Sequence, residues 1–188
     1  MQIIKASDDT TETLAMALKS GAVAVIPTDT VYGLAAHPDC PDAVARLYTI
    51  KGREAKKPIA MLADSAETLA RRGFALAGQA AALAERHWPG ALTLVIQDRN
   101  GAWEGLRVPN HAWTRRLIAS CGGLLRVTSA NLSGQRPATD APAALKEVGL
   151  SADFVVDDGT SPGGTASTVV KAFPDGSLEI LRPGAIRL

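Results

Sequence analysis

Lys51-Gly52-Arg53-Glu54-Ala55-Lys56-Lys57-Pro58 places four cations and one anion within seven residues of a chain whose formal net charge is only +1. Such a local excess suits a ligand carrying a few phosphates, although these eight residues alone read equally well as a solvated basic loop. Two further runs bear on the choice: Pro27-Thr28-Asp29-Thr30-Val31-Tyr32-Gly33-Leu34 upstream and Thr128-Ser129-Ala130-Asn131-Leu132-Ser133-Gly134 downstream. Both are rich in small hydroxyl and amide side chains, and both follow apolar, strand-like segments. Cations, hydroxyls, an amide and backbone make up the inventory of a nucleotide site. Such a site suits transfer at phosphorus, where the protein positions reactants and neutralises spreading charge. In that arrangement Lys51 and Arg53 hold triphosphate oxygens, the planar arginine fork engaging two at once. Ser129 and Asn131 donate to phosphate or ribose. Arg107, in Gly105-Leu106-Arg107-Val108-Pro109, is a strand-end cation able to receive a carboxylate, and Arg182, in Leu181-Arg182-Pro183-Gly184, is a second. Each of these two reads as well as a surface arginine.

Other chemistries lack their residues. Gly-x4-Gly-Lys-Ser/Thr does not occur, and neither does the Gly-x-Gly-x-x-Gly of dinucleotide sites. The run from Gly159 to Thr168 is rich in glycine and hydroxyls; its amides could cradle phosphate oxygens, or it is a plain turn between strands. His37, His87 and His111 are scattered, with no HxxxH and no Cys/His cluster, so no protein-held metal is expected. Ser129 lies in Ser-Ala-Asn, against a nucleophile elbow at that serine. A serine triad is defined by geometry rather than order and stays open on sequence.

The elements that must position these residues alternate along the chain. Ile3-Ile4 begins a strand, and Ser7-Asp8-Asp9 caps a helix carrying Leu14, Ala17 and Leu18 and ended by Gly21. Ala22 to Ile26 reads as a buried strand stopped by Pro27, and a helix after Pro41-Asp42 places Val44, Leu47 and Tyr48 on one face. Ile59 to Ala63 is strand-like, and Ala77 to His87 is a helix ended by Trp88-Pro89-Gly90. Further strands are expected at 92–96, 106–108, 124–127, 154–156, 168–171 and 178–181, with helices near 112–120 and 142–148. Two-sided apolar strands alternating with helices imply an α/β fold: a twisted, open, mixed sheet flanked by helices. The 188 residues suit one domain, 1–188, with no repeat or linker to divide it.

The near-balanced charge argues against a constitutive surface for long nucleic acid, where roughly six to ten phosphate contacts are typical, and leaves local RNA contact open. At 4% aromatic residues there is no evident stacking platform for single strands, so a tRNA contact would be electrostatic and transient. Cys40 and Cys121 lack CxxC spacing; reduced core thiols are expected, a disulfide being the alternative. Met1-Gln2-Ile3-Ile4-Lys5 is not the start of a signal peptide, and no apolar run approaches about 18 residues, so a cytoplasmic protein without a membrane span is expected.

In order along the chain, the segments from Pro27 to Leu34, Lys51-Gly52-Arg53 with Lys57-Pro58, Trp88 to Thr93, Arg107-Val108-Pro109, Thr128 to Gly134, Ser167 to Val170 and Arg182-Pro183-Gly184 resemble the YrdC-like threonylcarbamoyl-AMP synthase family. The resemblance spans essentially the whole chain. It implies a YrdC-like fold around a large, positively lined concave cavity. The implied reaction converts L-threonine, bicarbonate and ATP to threonylcarbamoyl-AMP and pyrophosphate, with Mg2+ accompanying ATP. The product then feeds modification of adenosine 37 in tRNAs that read codons beginning with A, which implies transient contact with tRNA or the transfer machinery. Matched to the family's motifs, Lys51, Arg53, Ser129 and Asn131 are the catalytic, ATP-binding set, with Lys57 and Arg182 also on ATP. Thr30, Tyr32, Arg107 and Ser167 match the threonine pocket, with Arg107 on the amino acid's carboxylate. The chain resembles the single-domain type, since it stops soon after Arg182-Pro183-Gly184. It departs from many members in having Ile59-Ala60-Met61-Leu62 where they place a histidine. A non-catalytic paralogue that binds RNA or a nucleotide is the alternative. A carbamoyl-adenylate enzyme of hydrogenase maturation is a third reading; such enzymes usually come as one domain of a larger chain with zinc-finger-like cysteines, and this sequence shows neither feature.

Overall fold

The computed structural model describes residues 1–52 and 58–188. In chain order the described elements are β1 (Gln2–Lys5), α1 (Asp8–Lys19), β2 (Val23–Ile26), β3 (Gly33–Ala36), α2 (Pro41–Lys51), β4 (Met61–Ala63), α3 (Ala66–Arg71), α4 (Gly78–His87), β5 (Leu92–Gln97), β6 (Trp103–Arg107), α5 (Ala112–Ser120), β7 (Leu124–Ser129), α6 (Ala141–Glu147), β8 (Phe154–Asp157), β9 (Thr168–Ala172) and β10 (Leu178–Arg182). Local chemistry sets several boundaries. Ser7 caps α1 reciprocally: its hydroxyl accepts from the Thr10 amide while the Thr10 hydroxyl accepts from the Ser7 amide. Asp140 and Ser65 cap α6 and α3 in one direction only, each side chain accepting from an amide three residues on. Gly52, in the left-handed region at φ 57°, ends α2.

The strands join in one mixed sheet in the order β1-β8-β2-β3-β7-β4-β6-β5-β9-β10. β1 and β2 flank β8 in parallel, as do the pairs β4/β6 and β5/β9; the remaining neighbours are antiparallel. Residues directly opposite across a ladder share a face. One face carries Val25, Leu34 and Ala36 under α2 and α6, and further along Met61, Leu94, Leu106 and Val170 under α4. On the other face α1 and α5 bring Leu14, Leu18, Leu117 and Ile118 onto Ala24, Ile26, Ala35, Val127 and Leu62. That helical cover ends at Leu62 on β4. The same face continues across β6, β5 and β9 as Arg107, Gly105, Thr93, Val95 and Val169, which floor a cavity.

The α/β mixed sheet is as the alternation of elements predicts, but α3 (Ala66–Arg71) has no counterpart among the expected elements, and three further points differ. β6 begins at Trp103, three residues before the strand expected at 106–108, because its pairing with β5 starts at Gln97↔Trp103. Glu104 and Gly105 dilute the apolar pattern there. β3, made of glycine, leucine and two alanines, has no strand-like composition and exists because β2 and β7 pair with both of its edges. On α2 the buried stripe is Ala43, Leu47 and Lys51, one residue round from Val44 and Tyr48, which are only partly buried. Both cysteines are free thiols, and burial pushes Cys121 up to about 11, leaving it inert near neutral pH.

Candidate active site

The cavity has a volume of about 640 Å³, within the range of small-molecule sites. Thr30, Tyr32, Arg107, Ser129, Ser167 and Arg182, spread over most of the chain, all line it. Lys51 and Asn131 stand next to Ser129. Arg53 and Lys57 lie outside the described residues.

Arg107 ends β6 and is 5% exposed. Its Nε donates to the Gly90 carbonyl at 2.9 Å, one terminal nitrogen to Thr30 Oγ1 at 2.9 Å and the other to Asp29 Oδ1 at 2.6 Å. Burial opposes the guanidinium charge and lowers its pKa, while Asp29 works the other way. Three of the five N–H groups of the arginine are thus committed to protein. Asp29 reaches it because the chain after β2 turns tightly: Thr28 Oγ1 donates to the Val31 carbonyl at 2.6 Å and accepts the Thr30 amide at 3.1 Å.

The glycine-rich run anchors that turn. Ser161 Oγ donates to the Thr28 carbonyl at 2.9 Å, and the Gly163 amide donates to the Asp29 carbonyl at 3.0 Å. A Cβ on Gly163 would sit 2.6 Å from that carbonyl, so only glycine allows the approach. Tyr32 is fully buried; its hydroxyl donates to the Gly159 carbonyl at 2.7 Å and accepts the Asp158 amide at 3.1 Å. Burial raises its pKa. Tyr32 therefore ties the turn to the 158–159 loop while contributing to the cavity wall. Asp158 also meets His111 at 3.2 Å, and His111 caps α5 through Nδ1, which accepts from the Thr114 amide. Burial holds the His111 pKa below its ordinary value, against the pull of Asp158.

At another wall, Lys51 is 4% exposed, carried inward by the Ala43-Leu47-Lys51 stripe. Its Nζ donates to the carbonyls of Ser129 at 2.6 Å and Asn131 at 2.9 Å, with Ser129 Oγ at 3.5 Å. Asn131 donates through Nδ2 to the carbonyls of Leu132 and Gln135, both at 2.8 Å. Its buried Oδ1 has no hydrogen-bond partner among the described residues. The lysine and the asparagine thus shape the backbone that presents Ser129, and set a positive charge beside it. Across the floor, Ser167 Oγ lies 2.8 Å from Thr93 Oγ1 and accepts from Arg182 at 3.1 Å, while the Ser167 carbonyl takes two further bonds from the same guanidinium. Among the described residues no group of three or more His, Cys, Asp or Glu is placed to hold a metal ion.

Asp29, Thr93, Gly105 and Trp103 belong to this site or its supports and were not singled out from sequence. Trp103 and Gly105 carry a signal that could have found them: with Arg107 they alternate at i, i+2 and i+4 on one strand face.

A sequence model of the Sua5/YciO/YrdC family, described as Telomere recombination, matches residues 16–184. The chain belongs to the Sua5/YciO/YrdC family. It is 34% identical over 179 residues to a Mycobacterium tuberculosis protein, covering 90% of this chain and 82% of that relative. It is 34% identical over 170 residues to the threonylcarbamoyl-AMP synthase of Idiomarina loihiensis, covering 85% of this chain and 90% of that one. The crystal structure of P. abyssi Sua5 complexed with L-threonine superposes with a TM-score of 0.86 at 28% identity, covering 98% of this chain. This Sua5/YciO/YrdC chain spans only 58% of the length of that Sua5.

Proposed function

We propose that the chain is an L-threonylcarbamoyl-AMP synthase, a nucleotidyltransferase that joins L-threonine, bicarbonate and ATP into threonylcarbamoyl-AMP and releases pyrophosphate. The observation that carries the reading is convergence: cations and hydroxyls from positions 30 to 182 line one cavity, in a chain whose relatives include proteins named threonylcarbamoyl-AMP synthase. Threonine's carboxylate meets Arg107, whose charge Asp29 partly balances, and its hydroxyl side chain lies beside Thr30. Bicarbonate yields CO2 and hydroxide, the amine adds to CO2 to form a carbamate while its released proton turns that hydroxide into water, and a carbamate oxygen attacks the α-phosphorus of ATP. The bond from that phosphorus to the bridging oxygen breaks and pyrophosphate leaves. Ser129 donates to the nucleotide's phosphates with the Lys51 charge behind it, and Arg182, oriented by its bonds to Ser167, serves the same polyanion from across the floor. Magnesium enters with the nucleotide, as MgATP. We take residues 1–188 as one catalytic domain in the cytoplasm, supplying its adenylate for modification of adenosine 37 of tRNA. No described helix is long and apolar enough to cross a membrane.

The test is pyrophosphate release by purified protein with each substrate omitted in turn, beside Ser129→Ala. Release that needs threonine, bicarbonate and ATP together, and falls about 100- to 1,000-fold in kcat in the variant, is expected by analogy with loss of one preorganised donor. ATP binding without threonine-dependent release would overturn the synthase reading in favour of a nucleotide-binding paralogue.

A further inference from the structure

We propose that Trp103 is the platform on which the substrate's nucleobase stacks, and that β6 spaces the two ends of the product between Trp103 and Arg107. The proposal rests on the synthase reading. Two aromatic side chains line the cavity among the described residues, and they differ in availability. Tyr32 is fully buried with its hydroxyl bonded on both sides. Trp103 is only half-buried, on the stretch of sheet beyond the cover of α1 and α5. Its ring is held in place before any ligand arrives. Phe173 meets it edge-to-face, with centroids 5.5 Å apart and planes at 73°. Lys171 places Nζ 3.9 Å from the indole centroid, over one face. One face of the indole is thus occupied by an ammonium, and the opposite face is the surface a planar base can cover. A ring already fixed loses little freedom on stacking.

The spacing along β6 supplies the second argument. Trp103, Gly105 and Arg107 alternate on one strand face, so Trp103 and Arg107 stand about 14 Å apart. An amino-acid adenylate is elongated, with a flat apolar base at one end and a carboxylate at the other. The strand offers an aromatic ring at one end of its strip and a cation at the other. Gly105 keeps the middle open: a Cβ there would lie 3.3 Å from Ala60 Cβ and 3.7 Å from Thr93 Cγ2, filling the floor where ribose and phosphate must pass. Val95 and Val169, which also line the cavity, suit a base more than a phosphate. Because every base has a π-face, such a platform contributes affinity without choosing among purines.

The experiment compares wild type, Trp103→Ala and Trp103→Phe in two readouts: ATP dependence of pyrophosphate release, and binding of ATP against inorganic tripolyphosphate, which has no base. Loss of one base–aromatic stack should raise the KM for ATP about 5- to 150-fold in Trp103→Ala with kcat retained. The phenylalanine variant should recover much of the loss, and tripolyphosphate affinity should not change. An unchanged KM for ATP in Trp103→Ala, or equal weakening of ATP and tripolyphosphate, would overturn the proposal. Wild type that binds ATP but releases no pyrophosphate would defeat the synthase reading alone, and the binding arm would still decide the role of Trp103.

Discussion

Replacing Arg107 by leucine should destabilise the folded protein by about 3–5 kcal/mol, the usual consequence of removing one partner from a buried ion pair. The two side chains are only 7% and 10% exposed and approach to 2.6 Å, so water screens little of the charge left behind on Asp29. The same substitution removes the donors to the Gly90 carbonyl and to Thr30. At roughly 2–4 °C per kcal/mol for a chain of this size, the melting temperature should fall by about 10 °C. Asp29→Leu should be costly for the converse reason, stranding a guanidinium. The double variant should be more stable than the two single losses sum to, because an apolar pair of similar volume replaces the ion pair without an orphaned charge. Urea unfolding of wild type, both single variants and the double variant closes the cycle, with a coupling energy of about 0.5–3 kcal/mol expected. Additivity within about 0.5 kcal/mol would refute the argument from buried charge. The double variant, though folded, should remain unable to use threonine at ordinary concentrations, since its cavity lacks the cation.

Two further outcomes follow from the supports of the site. The unfolded chain protonates His111 more readily than the folded one, so stability should fall as pH drops below about 6.5 and level off once the folded-state imidazole is itself charged. In His111→Asn, which keeps an acceptor at the start of α5, the loss of urea midpoint between pH 7.5 and pH 5.5 should be smaller than in wild type; an equal loss would remove His111 from the account. Gly184→Ala would press a Cβ onto the backbone of Ala166, Ser167 and Thr168, closer than real Cβ contacts come. A destabilisation of about 1–3 kcal/mol and a lower kcat/KM for ATP are expected as Ser167 moves against Arg182, checked by thermal unfolding and pyrophosphate release.

Much of the local architecture is legible in the residues themselves. The Ser7 cap, the apolar run ending at Pro27, the alanine-rich α4 before Trp88-Pro89-Gly90 and the span of α5 all depend on neighbours within a few positions. The polar runs around Thr30, Ser129 and Ser167 likewise announce themselves by composition at strand ends. The sequence leaves undetermined what each of these groups faces. Lys51 reads as a phosphate-binding cation, and only the packing of α2 turns it inward onto the carbonyls of Ser129 and Asn131. The Gly159–Thr168 run reads as a phosphate cradle or a turn, and the fold makes it the anchor of Thr28 and Asp29. β3 has no β-branched or aromatic residue to mark it as a strand, and forms because its chain neighbour β2 and the distant β7 pair with its two edges. Asp29 is visible in the chain as one more polar residue after a strand. That it meets Arg107, 78 positions away, is decided by where the turn crosses the sheet, since pairing across such a distance depends on register and packing that no local pattern encodes.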